Sequence, residues 1–209
     1  MKATPYAVLL SILVCLVPSV GATPTVGGPT DQVQADLPVS LRLKNIGGTD
    51  GAGLCVFTSI THAARYQNEL GLWDFQKQMS RERGGGWPQK VDQMIAKYSP
   101  STQYLQYEGR DPSIIKAALA SGRIVCVTWD GYKDPHYHGQ HISHMVNCVE
   151  YTDTEVVLLD NNFIGDDQLL KMTPQDFLTG WIDGQSGWAI VLLAGAPAPI
   201  PHNLVLRSP

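Results

Sequence analysis

Basic residues are too few and too scattered to suit a nucleic acid. The 15 Lys and Arg are outnumbered by 19 Asp and Glu in 209 residues, for a formal net charge of -4 and a pI near 5.8. Without a basic stripe the electrostatic footprint of a nucleic-acid surface is missing. Long apolar runs are missing too. Beyond the first residues no stretch approaches the roughly 18–20 consecutive apolar residues that a membrane span needs, so no membrane association is expected of the mature chain. Cysteine is sparse, with four residues, of which only Cys55, Cys126 and Cys148 follow residue 22. An odd number cannot be fully paired, so at least one thiol is expected to stay free. No internal repeat is apparent.

What is present begins with Lys2, the apolar run 6–18 and the small residues Val20, Gly21 and Ala22. That order has the form of a secretory signal peptide, predicted here as residues 1–22, and implies a secreted or periplasmic protein. Cys15 is not read as a lipid-attachment site, because the bulky Leu13 and Val14 precede it. Residues 23–38 lack hydrophobic periodicity and are expected to form a flexible lead-in. Residues 195–209, rich in Pro and Ala, are expected to form a flexible tail. The 39–194 segment between them is expected to be one domain.

Within it, Val56, Ile60, Ala63 and Ala64 recur at helical spacing after the glycine-rich NIGGTDGAG, so a helix is predicted to open at Cys55. Helices are also expected over 73–83, 88–98, 112–120 and 174–179, the second with Pro88 in its first turn. Strands are expected over 103–107, 124–129, 145–151, 155–159 and 188–193. Helices first and antiparallel strands later make an α+β fold. Cys126 and Cys148 lie inside apolar strands, where cysteine serves as a small hydrophobe. A bridge between them is left open.

Cys55 differs from those two. A thiol acts as a nucleophile only as thiolate, and a helix N-terminus favours that anion through its free N–H groups and partial positive charge. The competing reading is a buried cysteine opening a core helix. A thiolate needs a base, and four of the six histidines fall together: His136, His138, His141 and His144. His144 directly precedes the strand at 145–151, whereas the others lie in a Gly- and Pro-containing loop. Their close spacing also raises a zinc reading, which the lack of helical periodicity disfavours. The next strand ends in Asp160, Asn161 and Asn162. If the two strands pair antiparallel, the start of one lies beside the end of the other, and Asp160 meets His144. A carboxylate there would fix the imidazole tautomer and stabilise its cation.

The order of Cys55 at a helix start, HMVNCVEY opening a strand at His144, and VVLLDNN ending the next strand at Asp160 resembles the papain-like cysteine peptidases. ALASGRIVCVTWDG and GWAIVLL are similar to that superfamily's flanking passages, and an aspartate as third member resembles its C39-like branch. The resemblance covers residues 41–193. It implies a helical part carrying the nucleophile, packed on a C-terminal antiparallel sheet. It further implies a thiol hydrolase without cofactor or metal, with Cys55 as nucleophile, His144 as base and Asp160 as orienter, Asn161 being the alternative orienter. The superfamily's oxyanion glutamine has no counterpart where Thr49 stands; Asn45 is the nearest amide, provided the glycine turn folds back. Trp73, Trp87 and Trp181 are the aromatic candidates for the cleft. The expected partner is a peptide or protein, a cell-wall peptide among them, for a monomeric enzyme. The alternatives are an amidase or acyltransferase with the same triad, and a catalytically silent module of the same fold.

Overall fold

A computed structural model describes residues 25–27, 33–163 and 169–195 of the chain. The signal-peptide expectation lies outside these residues, as does the tail beyond residue 195. No helix among the described residues is long and apolar enough to cross a membrane.

Among the described residues seven strands form one antiparallel sheet. They are β1 (Thr25–Gly27), β2 (Tyr104–Glu108), β3 (Val125–Asp130), β4 (Ser143–Tyr151), β5 (Val156–Leu159), β6 (Leu169–Met172) and β7 (Trp188–Leu192), in the order β1-β6-β5-β4-β3-β7-β2. The helices are α1 (Cys55–Gln67), α2 (Phe75–Met79), α3 (Pro88–Tyr98), α4 (Ser113–Ala120) and α5 (Pro174–Gln185). The central strands β3, β5 and β7, and most of β4, are buried along their length because both faces of the sheet are covered. One cover is α1, whose residues from Val56 to Ala64 are all buried. On the other side lies α5, where Phe177 stacks on Trp129 with ring centroids 6.4 Å apart. Gly180 of α5 has no room for a side chain, since a Cβ there would lie 2.2 Å from the Trp129 ring. The arrangement is α+β, as the order of elements predicts.

The register disposes of the Cys126 and Cys148 bridge. Cys126 lies opposite Asn147 and Val125 opposite Cys148, so the two thiols point to opposite faces of the sheet. Both are free and buried, and burial pushes both thiols far above their ordinary range.

Four expectations need correction. The 73–83 helix shortens to α2, because the chain after Met79 turns to tie itself elsewhere: the Glu82 carbonyl accepts from the Thr49 N–H at 2.8 Å, and its carboxylate binds Lys97 and Tyr98, each at 2.6 Å. α5 extends past Thr179 to Gln185. Strand β6 carries too short an apolar run to stand out. The lead-in is not free, since β1 pairs with β6. Val33, Ala35 and Leu37 are buried, and the Ala35 N–H bonds the Val149 carbonyl at 2.9 Å. Three apolar residues at a period of two among polar neighbours were the available signal.

Candidate active site

The glycine-rich turn folds back on itself. Gly47 and Gly53 form an antiparallel bridge, the Gly48 N–H reaches the Ala52 carbonyl at 2.8 Å, and Gly51 takes a positive φ of 78° that a side chain would resist. This hairpin brings Asn45 beside Leu54, whose N–H donates to Asn45 Oδ1 at 2.9 Å. The next residue, Cys55, opens α1. No side chain caps that end, so the first N–H groups of α1 remain available to an anion.

His144 is the second residue of β4, and Asp160 follows β5, its antiparallel neighbour. His144 Nε2 and Asp160 Oδ1 are 2.9 Å apart, with both side chains 2% exposed. His144 also hydrogen-bonds Cys55, and since Nε2 is committed to Asp160 that bond uses Nδ1. The three expected residues therefore stand in one row. Burial alone would push the Cys55 thiol up and the His144 imidazole down. Their hydrogen bond and mutual attraction outweigh burial at Cys55, aided by the Met145 and Val56 N–H groups, and hold the thiol below its ordinary value. At His144 the Asp160 carboxylate and Cys55 together overcome burial and raise the imidazole to about 10. At Asp160, burial is in turn outweighed by His144, the Asn162 N–H and Tyr137, which leave the carboxyl below its usual range. The arrangement favours a thiolate–imidazolium pair with a charged orienter.

The remaining candidates separate cleanly. Asn161 does not orient His144. Its Nδ2 bonds Ser59 Oγ and the Met145 carbonyl, each at 2.9 Å, bracing α1 against β4. Thr49 sits exposed in the hairpin turn, its N–H held by the Glu82 carbonyl, and is not among the residues lining the cleft. Asn45 does line it. The loop histidines have separate partners: His136 bonds Asp134 and stacks on Phe163, while His141 bonds Asp130 and stacks on Tyr132. His138 is exposed in the left-handed region. No group of three or more His, Cys, Asp or Glu side chains among the described residues converges as a metal site would. The tryptophan candidates are corrected. Trp181 is fully buried in the core, Trp73 packs under Arg65, and Trp87 is exposed beside the glycine loop, outside the cleft lining.

The cleft itself has a volume of about 350 Å³. Cys55 and His144 share it with Asn45, Gly85, Gly86 and Trp188 among others. One wall is glycine by necessity, since a Cβ on Gly86 would lie 2.6 Å from Val56, the residue after the thiol. Sequence reasoning missed Tyr137, Asn162 and Trp188. Tyr137 and Asn162 come from segments that only the folded loops bring together, and Trp188 reads as an ordinary residue of an apolar strand.

A helix-borne cysteine facing a strand-borne histidine and its aspartate, on an α+β scaffold, defines a papain-like fold. The chain is similar to the crystal structure of a candidate C39-like peptidase from Bacillus anthracis, with a TM-score of 0.55 and 15% identity, over 80% of this chain and 100% of that one. No protein-family model matches the chain, and no curated protein matches it in sequence.

Proposed function

We propose that this chain is an exported cysteine peptidase that cleaves peptide or amide bonds through Cys55, His144 and Asp160. The row from thiol to imidazole to carboxylate carries the reading, because each member's ionisation is supported by the next. The Cys55 thiolate attacks the scissile carbonyl carbon, and the carbonyl π electrons move to oxygen. The Cys55 N–H and Asn45 Nδ2 receive that oxyanion. As the tetrahedral intermediate collapses, the C–N bond breaks and His144 Nδ1 gives its proton to the leaving amine. Water then attacks the thioester with His144 as base, releasing the acid and restoring the thiol proton to the pair. The substrate is a peptide or protein segment that enters extended between the glycine wall and the histidine loop. Cell-wall peptides fit the export read from residues 1–22.

The test is mass spectrometry after brief exposure to a peptide-like thiol electrophile near pH 6, where an ordinary thiol of pKa about 8.5 is almost wholly protonated. Labelling is expected on Cys55 in the wild type and is expected to vanish in Cys55→Ala and in His144→Ala. A folded wild type that stays unlabelled would make the chain a non-catalytic module of the same fold.

A further inference from the structure

Around the triad runs a second chain of hydrogen bonds that the mechanism above does not use. Tyr137 OH donates to Asp160 Oδ2 at 2.8 Å. Asn162 Nδ2 donates to the Tyr137 oxygen at 2.9 Å, and Asn45 Nδ2 donates to Asn162 Oδ1 at 2.9 Å. Asn45 Oδ1 then accepts from the Leu54 N–H, next to Cys55, and the circuit closes at the nucleophile. The Asn162 N–H also donates to Asp160 Oδ1 at 2.8 Å, fixing the base of its side chain.

The direction of every bond in this circuit follows from one end. An ionised carboxylate only accepts, so the Tyr137 hydroxyl must spend its proton on Asp160 and keep its lone pair for a donor. Burial and the Asp160 charge hold that hydroxyl protonated. Asn162 must therefore turn its NH2 toward Tyr137 and its oxygen toward Asn45. Asn45 must answer with its own NH2, leaving its oxygen for Leu54. An isolated amide has two nearly equivalent orientations, and here the network selects one. The selected orientation keeps a second Nδ2 hydrogen for the cleft that Asn45 lines. The opposite orientation would present an oxygen to a developing oxyanion.

We propose that Asn162 and Tyr137 are positioning residues that hold the Asn45 amide with its donor side toward the cleft, with Asp160 as the fixed end of the chain. One carboxylate thus serves both halves of the site: directly it orients His144, and through Tyr137 and Asn162 it orients the oxyanion donor. The inference rests on the thiol-hydrolase reading and on Asn45 as oxyanion donor.

The experiment is a double-mutant cycle on Asn45→Ala and Asn162→Ala with two readouts. The first is hydrolysis of an activated peptide-like ester or thioester, which builds an oxyanion. The second is the pH profile of Cys55 alkylation by iodoacetamide, which builds none. Each single variant is expected to lower kcat by about 10- to 100-fold, since one oxyanion donor is worth that or more. The double variant should fall no lower than Asn45→Ala alone, because both remove one function. Alkylation should keep its wild-type profile throughout. Tyr137→Phe, which keeps the ring in place, gives the same reading in combination with Asn45→Ala: a loss smaller than the product of the two singles. Losses that multiply in the cycle, or an alkylation profile that moves with hydrolysis in Asn162→Ala, would overturn the inference while leaving the peptidase reading intact. A wild type that neither hydrolyses nor alkylates faster than a free thiol removes both.

Discussion

Ionising a cysteine in a largely enclosed position works against burial, and the site offsets that cost by placing an imidazole with a raised pKa beside it. His144 carries the cation because Asp160 stands on its far side and Cys55 on its near side, with Tyr137 and the Asn162 N–H completing the carboxylate's shell. Asp160 is therefore the residue on which the thiolate depends at one remove. In Asp160→Ala, burial would act on His144 with less to oppose it and the imidazolium would be disfavoured. The apparent pKa of Cys55 alkylation is expected to rise toward the ordinary thiol value of about 8.5. Under the proposed mechanism kcat/KM at neutral pH should drop by about 10²- to 10⁴-fold, the scale seen when a triad orienter is lost. Asp160→Asn keeps an acceptor for Nε2 and should fall between the two. An alkylation profile unchanged in Asp160→Ala would deny Asp160 this role.

At the scale of elements, the cleft depends on how two glycine-rich segments lie against the start of α1. Gly48 meets the backbone of Gly84, and Gly85 N–H bonds the Gly53 carbonyl at 2.8 Å, so hairpin and loop form one wall. Lys90 holds that wall from behind. Its ammonium reaches the carbonyls of Arg83, Gly84 and Gly85 at 2.5, 2.8 and 3.0 Å, with the residue only 7% exposed. Lys90→Met keeps the apolar stem and removes the donor to all three. A loss of about 2 kcal/mol in urea unfolding is expected, together with a raised KM, as the wall loosens. A variant with unchanged stability and KM would show that the loop shapes itself without Lys90. Much of this arrangement was legible beforehand. The meeting of His144 and Asp160 could be read because the antiparallel pairing of two strands converts a sequence separation into proximity, and the return of Asn45 toward the start of α1 because the hairpin's glycines announce it. The second circuit could not be read. Tyr137 belongs to a loop without periodicity, and its hydroxyl meets Asn162 only after β4, β5 and that loop have packed. The docking of Val33, Ala35 and Leu37 escaped for a related reason, since three alternating apolar residues are a weak signal until a sheet is there to receive them.

Across the whole molecule, stability and site chemistry draw on the same interface between α1 and β4, and a second histidine sits in it. His62 is fully buried. Its Nδ1 is 2.9 Å from Asn147 Oδ1 and its Nε2 accepts the Leu43 N–H at 2.7 Å, which fixes a neutral ring protonated on Nδ1. Burial is the main cause that lowers His62 from 6.5 to about 4, with Arg65 and Arg42 adding to it against the opposing hydrogen bonds. Because the folded value is depressed, the unfolded chain takes up this proton first on acidification. The stability that neutral His62 contributes is whole above about pH 6.5 and is lost progressively down to pH 4, in all about 3 kcal/mol. The Cys55 and His144 pair complicates the same window, because the folded thiolate–imidazolium holds one proton where unfolded Cys55 and His144 hold two below pH 6.5. The measurement therefore belongs in a Cys55→Ala background, in which that term is removed. There, His62→Gln offers an amide donor for Asn147 and an oxygen for Leu43 without a titrating ring. Urea unfolding should show the parent weakening from pH 7 to pH 4 by about 3 kcal/mol more than His62→Gln does. Parallel stability curves for the two chains would mean that His62 takes up its proton in the folded interior without penalty, and that the α1 and β4 interface adjusts to a buried charge.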